Sequence, residues 1–488
     1  MRKWSRRWAT EGFQFADGKR PGRASQFAGW VRALVIAVAC ELPAQRGLAL
    51  SRHFATDGLI GARTSRKSRP AANLAGRVAI TGLGFVTPIG HAPDVLWTSL
   101  VEGRSAVGQI SRFAAADYPT RIAAEVRDFE PLHHMGPETA RQTGRSGQFA
   151  LAAARAALAD AGLSCKHRPP QDIGVVVATA FGGVEAIVDN HRRLLAGDGV
   201  GLGSSAIWSV LSFSLSNLVA THVGLAGPGF GLASACAGGA HAIGEAAEII
   251  RRGDAGAMLA GGAEAAITPL ILAGFCSMRA VSERNDQPHR ACRPFDRERD
   301  GFVVGEGAAM LVLEDMRSAR ARGARVLAEV LGYGASADCH HPTDPDPSGA
   351  GAVRSMRAAL RRAGLGPDAV DYLNAHSTGT RVGDIAETRA IRTVMGRHAT
   401  RVPVSSTKSM HAHLLGASGA LETAVCVLAI QHGLIPPTIN LDAVDPDCAL
   451  DHVAHSPRRT PVAVAMNNSF GFGGHNATVV VAHPDYRG

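Results

Sequence analysis

The chain has 488 residues, 46% of them hydrophobic but only 5% aromatic, with 56 glycines, so it can fill two or three domains built from small aliphatic side chains at close backbone approach. Its net charge of +9 is lopsided: residues 1–75 hold 14 Lys and Arg against 4 Asp and Glu, leaving 37 basic and 38 acidic residues in the remainder. A near-neutral body excludes a nucleic-acid-binding face spread along the fold, and no nucleic-acid partner is expected.

Residues 1–75 are Arg-rich, acid-poor and only weakly periodic, so they read as an extension, disordered or targeting, outside the folded body. Their longest apolar run, Ala33 to Cys40, is closed off by Arg32 and Glu41 and is far shorter than the roughly 20 residues that span a bilayer. No membrane span is expected. The composition fits an organellar transit peptide, and equally a stretch translated from upstream of the true start.

Order begins near Gly76, where Arg77-Val-Ala-Ile-Thr-Gly-Leu-Gly-Phe-Val predicts a buried strand running into a glycine turn. Similar strands are predicted at 173–178, 257–260, 326–331 and 478–482, separated by Ala-rich segments of helical spacing at 148–161 and 352–363. This alternation predicts an α/β fold with buried sheets. Gly82 and Gly84 lack a third glycine before Gly90 and no Walker-type lysine follows, so nucleotide binding is not expected. Eight scattered cysteines without a CxxC pair predict a reducing compartment.

Three segments carry chemistry. Phe230 to Ala240 reads as a strand, then Ser234-Ala-Cys236-Ala-Gly-Gly, then a helix stopped by Arg251, Arg252 and Gly253. That junction offers Cys236 free N–H groups and the positive end of a helix dipole, which favour a thiolate. An apolar strand from Val370 runs into the loop His376-Ser-Thr-Gly-Thr380. Another from Val402 runs into Ser406-Thr-Lys408-Ser-Met-His-Ala-His413, ahead of a helix predicted from Ala417 to about Gln431. Polar groups at strand ends are where α/β sheets place their sites. The histidines at 411 and 413 and the pair His340-His341 suggest metal ligands, but no third ligand accompanies either, and no catalytic metal is expected.

Taken together these segments resemble the β-ketoacyl-acyl carrier protein synthases, most closely the type II elongating condensing enzymes of the thiolase superfamily. The resemblance spans about residues 76–485 and rests on SACAGGAHAIGEA around Cys236, CRPFDRERDGFVVGEGA at 292–308, NAHSTGT at 374–380, STKSMHAHLLGASGALE at 406–422 and NSFGFGGHN at 468–476. It implies a duplicated, five-layered αβαβα thiolase-type fold, with one half over 76–325 holding the nucleophile and the other over 326–488 holding the histidine pair. It implies decarboxylative Claisen condensation of a Cys236-bound acyl group with malonyl-acyl carrier protein, giving a 3-ketoacyl product in fatty acid elongation. No metal or organic cofactor is implied, because the substrates ride on the carrier's phosphopantetheine. Acyl carrier protein and a second copy of the chain are the implied partners.

Carried over by position, Cys236 is the nucleophile, His376 and His413 stabilise the enolate, and Lys408 supports the His376 region. The N–H groups of Cys236 and Phe472 form the oxyanion hole, and Phe472 also gates the acyl pocket. Thr343, Thr378 and Thr380 hold the phosphopantetheine arm, Phe470 lines the site, and Asp384, Glu387 and Glu422 support it from behind. Phe181, just before a Gly-Gly pair, falls at the far end of the acyl pocket, where a smaller aliphatic is common. A phenyl ring there implies a short tunnel and short or medium primers.

Ser377 stands where the family usually has glycine, His411-Ala412 where it has Thr-Gly, and His475 where threonine is frequent. Nodulation-type synthases for modified acyl chains look similar at His411-Ala412, so a specialised pathway is the alternative to housekeeping elongation. A non-catalytic chain-length partner would have lost Cys236, and a degradative thiolase would need a second catalytic cysteine. A cytoplasmic location is expected, or a mitochondrial or plastid one if residues 1–75 are a transit peptide.

Overall fold

A computed structural model describes residues 76–197 and 205–487. The expectations for residues 1–75 lie outside them.

Val78–Val86 (β1) is buried along its whole length, as a strand without polar alternation requires, and its one polar side chain, Thr81, donates to Glu314 at 2.6 Å. It belongs to an eleven-stranded sheet. The next four strands are β2 (Ile173–Ala178), β3 (Gly229–Leu232), β4 (Ala257–Glu264) and β5 (Gly307–Asp315), and these first five lie side by side as β1-β5-β4-β2-β3. Five more follow: β6 (Ala328–Ala337), β7 (Tyr372–Asn374), β8 (Pro403–Ser405), β9 (Val464–Gly471) and β10 (His475–Ala482). They lie as β6-β10-β9-β7-β8, with the two-residue strand Asp451–His452 beyond β8. The spatial order is thus the same in each set.

The strand directions repeat as well. β1–β5 and β5–β4 are antiparallel, and β4–β2 and β2–β3 parallel. In the second set β6–β10 and β10–β9 are antiparallel, and β9–β7 and β7–β8 parallel. The fold is duplicated, and the two copies join through a short antiparallel ladder in which Val78, Ala79 and Ile80 face Val330, Glu329 and Ala328.

The layers are completed by the helices α1 (Arg145–Asp160), α2 (Ser214–Val223), α3 (Gly238–Arg252), α4 (Ala350–Ala363), α5 (Arg381–Met395) and α6 (Ser418–His432). Helices α1 and α2 cover one face of the first strand set, and α4, with α5 against it, covers the outer face of the second. Between the sets α3 packs on α6, giving the five layers of the thiolase-type fold. The two central helices touch backbone to backbone at their first turns. A Cβ on Gly239 would lie 2.5 Å from the Ala420 nitrogen, and one on Gly419 2.6 Å from the Ala240 nitrogen. Only glycine permits that approach, and it brings the loops before α3 and α6 into one space. Gly84 has a similar use: a Cβ there would fall 2.0 Å from the Ala153 carbonyl oxygen of α1, so the glycine pair in β1 serves strand-to-helix packing.

The predicted boundaries shift by a few residues. The strand expected at 326–331 runs over Ala328–Ala337, and the helix expected to begin at Ala417 begins at Ser418. The stop after α3 is as read, with Gly253 left-handed at φ +81°. Among the described residues no helix is long and apolar enough to cross a membrane.

Candidate active site

Cys236 sits in one tight turn, Ala235–Ala237, between β3 and α3. Ala235 enters that turn at φ +48°, a left-handed conformation uncommon outside glycine, and the elbow turns Cys236 onto the wall of a cavity of about 940 Å³. The end of β9 lies against the same elbow. A Cβ on Gly471 would come 2.9 Å from the Cys236 nitrogen, so glycine is what lets the Phe472 backbone reach the thiol. The N–H groups of Phe472 and of Cys236 itself both point to Sγ.

Burial pushes the Cys236 thiol up to about 12, against the pull of Lys408 and of those two N–H groups. The expectation of a resting thiolate is therefore corrected: desolvation in an apolar pocket outweighs the junction's positive field. The N–H pair faces a neutral sulfur at rest and is ready for negative charge that forms there.

The two histidine loops leave adjacent strands. β7 and β8 are parallel neighbours with Asn374 opposite Ser405, so the segments after them emerge at the same sheet edge. Glu387, buried on α5, gathers the first loop: it accepts from the His376 N–H at 2.9 Å, the Ser377 N–H at 2.7 Å, Ser377 Oγ at 2.8 Å and Asn468 Nδ2 at 3.1 Å. The Ser377 side chain thus supplies a further bond to the same carboxylate. His413 is held by Ser418 Oγ, 2.9 Å from its Nδ1. The rings of His376 and His413 stand 5.3 Å apart, centroid to centroid, and nearly perpendicular at 80°.

His376 Nδ1 and His413 Nε2 are buried without a protein partner. Burial lowers both imidazoles well below the ordinary histidine value, helped by the Lys408 charge and by a neighbouring histidine in each case. Both are neutral at pH 7. Lys408 is fully buried behind them, paired with Glu422 and outside the cavity wall. Burial pushes the Glu422 carboxyl up to about 7, and the adjacent ammonium works the other way.

The other expected residues fall around the same cavity. Phe181, Thr343, Thr378, Thr380, Phe470, Phe472, Asp384 and Glu387 all line it. Thr378 and Thr380 face each other at 3.3 Å between hydroxyls, and Phe470 lies 5.9 Å from the His376 ring. An edge-to-face aromatic chain runs from Phe181 to Phe275 at 5.8 Å, on to Phe302 at 5.0 Å and to His413 at 5.6 Å. Asp384 is fully buried and accepts from the Phe295 N–H at 2.8 Å and the Gly379 N–H at 3.2 Å, so it braces the threonine loop. Burial takes its carboxyl up to about 7, against Arg299.

Sequence reasoning missed Glu264. At the end of β4 it accepts from the N–H groups of Ala180, Phe181 and Gly416 and from Thr179 Oγ1, tying the Phe181 turn to the loop before α6. The available signal was an acid closing an otherwise apolar strand. Also missed was the conformation of Ala412, at φ +60° and ψ −165°, a region essentially reserved for glycine that costs about 1–3 kcal/mol for other residues. Among the described residues no group of three His, Cys, Asp or Glu side chains is arranged to hold a metal.

Comparison with known proteins places this arrangement. The N-terminal domain model of β-ketoacyl synthase matches residues 75–319, and the C-terminal domain model residues 327–442. The 3-oxoacyl-[acyl-carrier-protein] synthase 2 of Synechocystis is 45% identical over 403 residues, covering 83% of this chain and 97% of its own. The same-named protein of Coxiella burnetii is 45% identical over 406 residues, covering 83% and 98%. A β-ketoacyl synthase from Burkholderia phymatum superposes with TM-score 0.78 at 37% identity over 83% of this chain and 99% of that one. So does a type II polyketide ketosynthase in complex with its acyl-carrier protein, with TM-score 0.78 at 32% identity over the same shares. Matched by both domain models across most of its length, and carrying their duplicated thiolase-like fold, the chain belongs to the β-ketoacyl synthase family.

Proposed function

We propose that this chain extends acyl groups in fatty acid synthesis by decarboxylative condensation, with Cys236, His376 and His413 as its catalytic residues. The observation that carries the reading is the convergence on one cavity of a buried thiol and two neutral imidazoles, each with a buried ring nitrogen that has no protein partner.

The acyl thioester of a carrier enters past Thr378 and Thr380, and Cys236 Sγ adds to its carbonyl carbon. The oxyanion takes the N–H groups of Cys236 and Phe472, the carrier thiol departs with the proton, and the acyl group remains on sulfur. Malonyl-carrier protein follows. Its thioester carbonyl accepts from His376 and His413, the bond to the carboxylate carbon breaks, and the electron pair becomes an enolate as carbon dioxide leaves. Neutral donors stabilise that charge without acting as bases. The enolate carbon attacks the acyl carbonyl, the C–S bond to Cys236 breaks, 3-ketoacyl-carrier protein is released, and the Cys236 thiolate takes a proton from water to restore the resting thiol. Lys408 acts through the field that keeps both imidazoles neutral. The nucleophile belongs to a half ending near residue 325 and the histidines to the half that follows.

We infer a homodimer from β3, the terminal strand of the sheet. It leaves Phe230 40% exposed, and Phe213, packed against the neighbouring Gly231, is 50% exposed, an apolar edge of the kind that a second copy covers. The partner is an acyl carrier protein and the expected location the cytoplasm. The test is release of carbon dioxide from malonyl-carrier protein with and without an acyl-carrier primer. A 3-ketoacyl product that requires the primer is expected, and primer-independent release without carbon–carbon bond formation would refute the reading.

A further inference from the structure

The turn between Lys408 and His413 carries a histidine that the condensation leaves without a task. His411 is fully buried, with Nδ1 2.7 Å from the Ala412 carbonyl oxygen and Nε2 3.1 Å from Thr407 Oγ1. A carbonyl oxygen only accepts, so Nδ1 carries the proton, and Nε2 of the neutral ring accepts from the Thr407 hydroxyl. Both nitrogens are spent inside the turn, and neither is free for substrate or metal.

What they hold is Ala412. Its φ of +60° with ψ −165° is a glycine conformation. Its methyl is fully buried in a small cluster with Val303 and Cys292. Four bonds fix the peptides on either side. The Ala412 N–H donates to the Lys408 carbonyl at 2.8 Å, the His413 N–H to Val303 at 2.9 Å and the Gly305 N–H to His413 at 2.9 Å. Those three are main-chain bonds that any side chains permit. The fourth, on the Ala412 carbonyl, depends on His411 alone.

We propose that His411 is a positioning residue for His413: its Nδ1–H clamps the Ala412 carbonyl and holds a glycine-type turn in place for alanine, which aims the His413 ring into the cavity. The inference rests on the role of His413 proposed above. It ties together the two departures at 411 and 412, since an alanine in that turn needs a clamp that glycine does not.

The test measures carbon dioxide release from malonyl-carrier protein alongside acylation of Cys236 by intact-protein mass. His411→Leu fills the buried volume without a donor. Release is expected to fall by about 10²-fold, the scale of loss when a reacting group is misplaced by about 1 Å, while Cys236 still acylates. His411→Asn, whose amide nitrogen takes the place of Nδ1, is expected to keep most of the rate. Adding Ala412→Gly to His411→Leu is expected to restore it, because glycine takes the turn unaided. Equal losses with leucine and asparagine, a leucine loss that glycine does not relieve, or full release from the leucine variant would each overturn the clamp. Should His411→Leu fail to fold, a double variant that folds and releases carbon dioxide supports the clamp, and one that also fails to fold overturns it. His413→Ala runs beside these. Undiminished release there sinks the catalytic reading, whereas loss there with no effect of His411→Leu sinks only the clamp.

Discussion

Removing the ring of Phe181 should lengthen the acyl primers this chain accepts. Phe181 lines the cavity that holds Cys236 and stacks edge-to-face on Phe275, 5.8 Å away, so it forms a wall rather than a swinging gate. Phe181→Ala removes six ring carbons and opens space for about four methylenes, each contributing about 0.8 kcal/mol on burial. The full gain is ~3 kcal/mol, or roughly 200-fold in discrimination between long and short primers, and half that energy if the wall relaxes inward. The variant also loses stability, by less than the ~3–5 kcal/mol of a fully buried Phe→Ala change, because the side chain already borders open space. The assay is condensation rate against primer length for wild type, Phe181→Ala and Phe181→Ile. A long-chain gain graded Ala over Ile over Phe is expected, with short primers little changed. Identical profiles would remove Phe181 from the path of the chain and refute the wall.

Four further outcomes follow from the site. Cys236→Ala should abolish acyl-enzyme formation by intact mass while melting near wild type, and acylation persisting on another cysteine would be fatal to the assignment. Alanine at His376 or His413 should cut carbon dioxide release by ~10²-fold or more and spare acylation of Cys236. Because both imidazoles lie well below the ordinary histidine value of about 6.5, the ring-proton resonances of His376 and His413 should show no protonation as pH falls from 8 to 6, and an imidazolium shift of either ring in that window would mean that it titrates normally. Glu264→Gln replaces one acceptor oxygen by a donor facing main-chain donors, so denaturant unfolding should show a loss of ~1–3 kcal/mol, and an unchanged midpoint would show that the Phe181 turn does not need it.

What was legible beforehand divides along physical lines. The elbow at Cys236 was readable because a strand, a run of small residues and a helix with a glycine stop succeed one another locally, and the observed β3, Ala235–Ala237 turn and α3 follow that order. β5 and β9 were not singled out as strands. The first is an Ala-Met-Leu-Val run equally suited to a helix, and the second buries Asn467, Asn468 and Ser469, which composition assigns to a surface. The sheet order was equally silent, since it depends on pairings hundreds of residues apart, such as Val78 with Val330. The protonation of Cys236 was misjudged for a related reason. The elbow's N–H groups are local and visible in sequence, whereas the desolvation that outweighs them comes from the whole cavity wall.

Under the proposed mechanism, the duplication explains why one cavity can serve both half-reactions. Each half contributes a central helix, and the close contact of Gly239 and Gly419 sets the first turns of α3 and α6 side by side. Cys236 lies two residues before the first residue of α3, and His413 is bonded to Ser418, the first residue of α6, so both positive helix ends adjoin the space where charge would appear. That charge is negative at each stage: the oxyanion on acylation, the enolate after loss of carbon dioxide, and the thiolate on release. A pocket biased this way also resists protonating its histidines, and Lys408, buried behind them, adds to that resistance. The field that stabilises the intermediates is therefore the one that keeps His376 and His413 as neutral donors, so neutralising Lys408 should raise both imidazoles while weakening the enolate they hold.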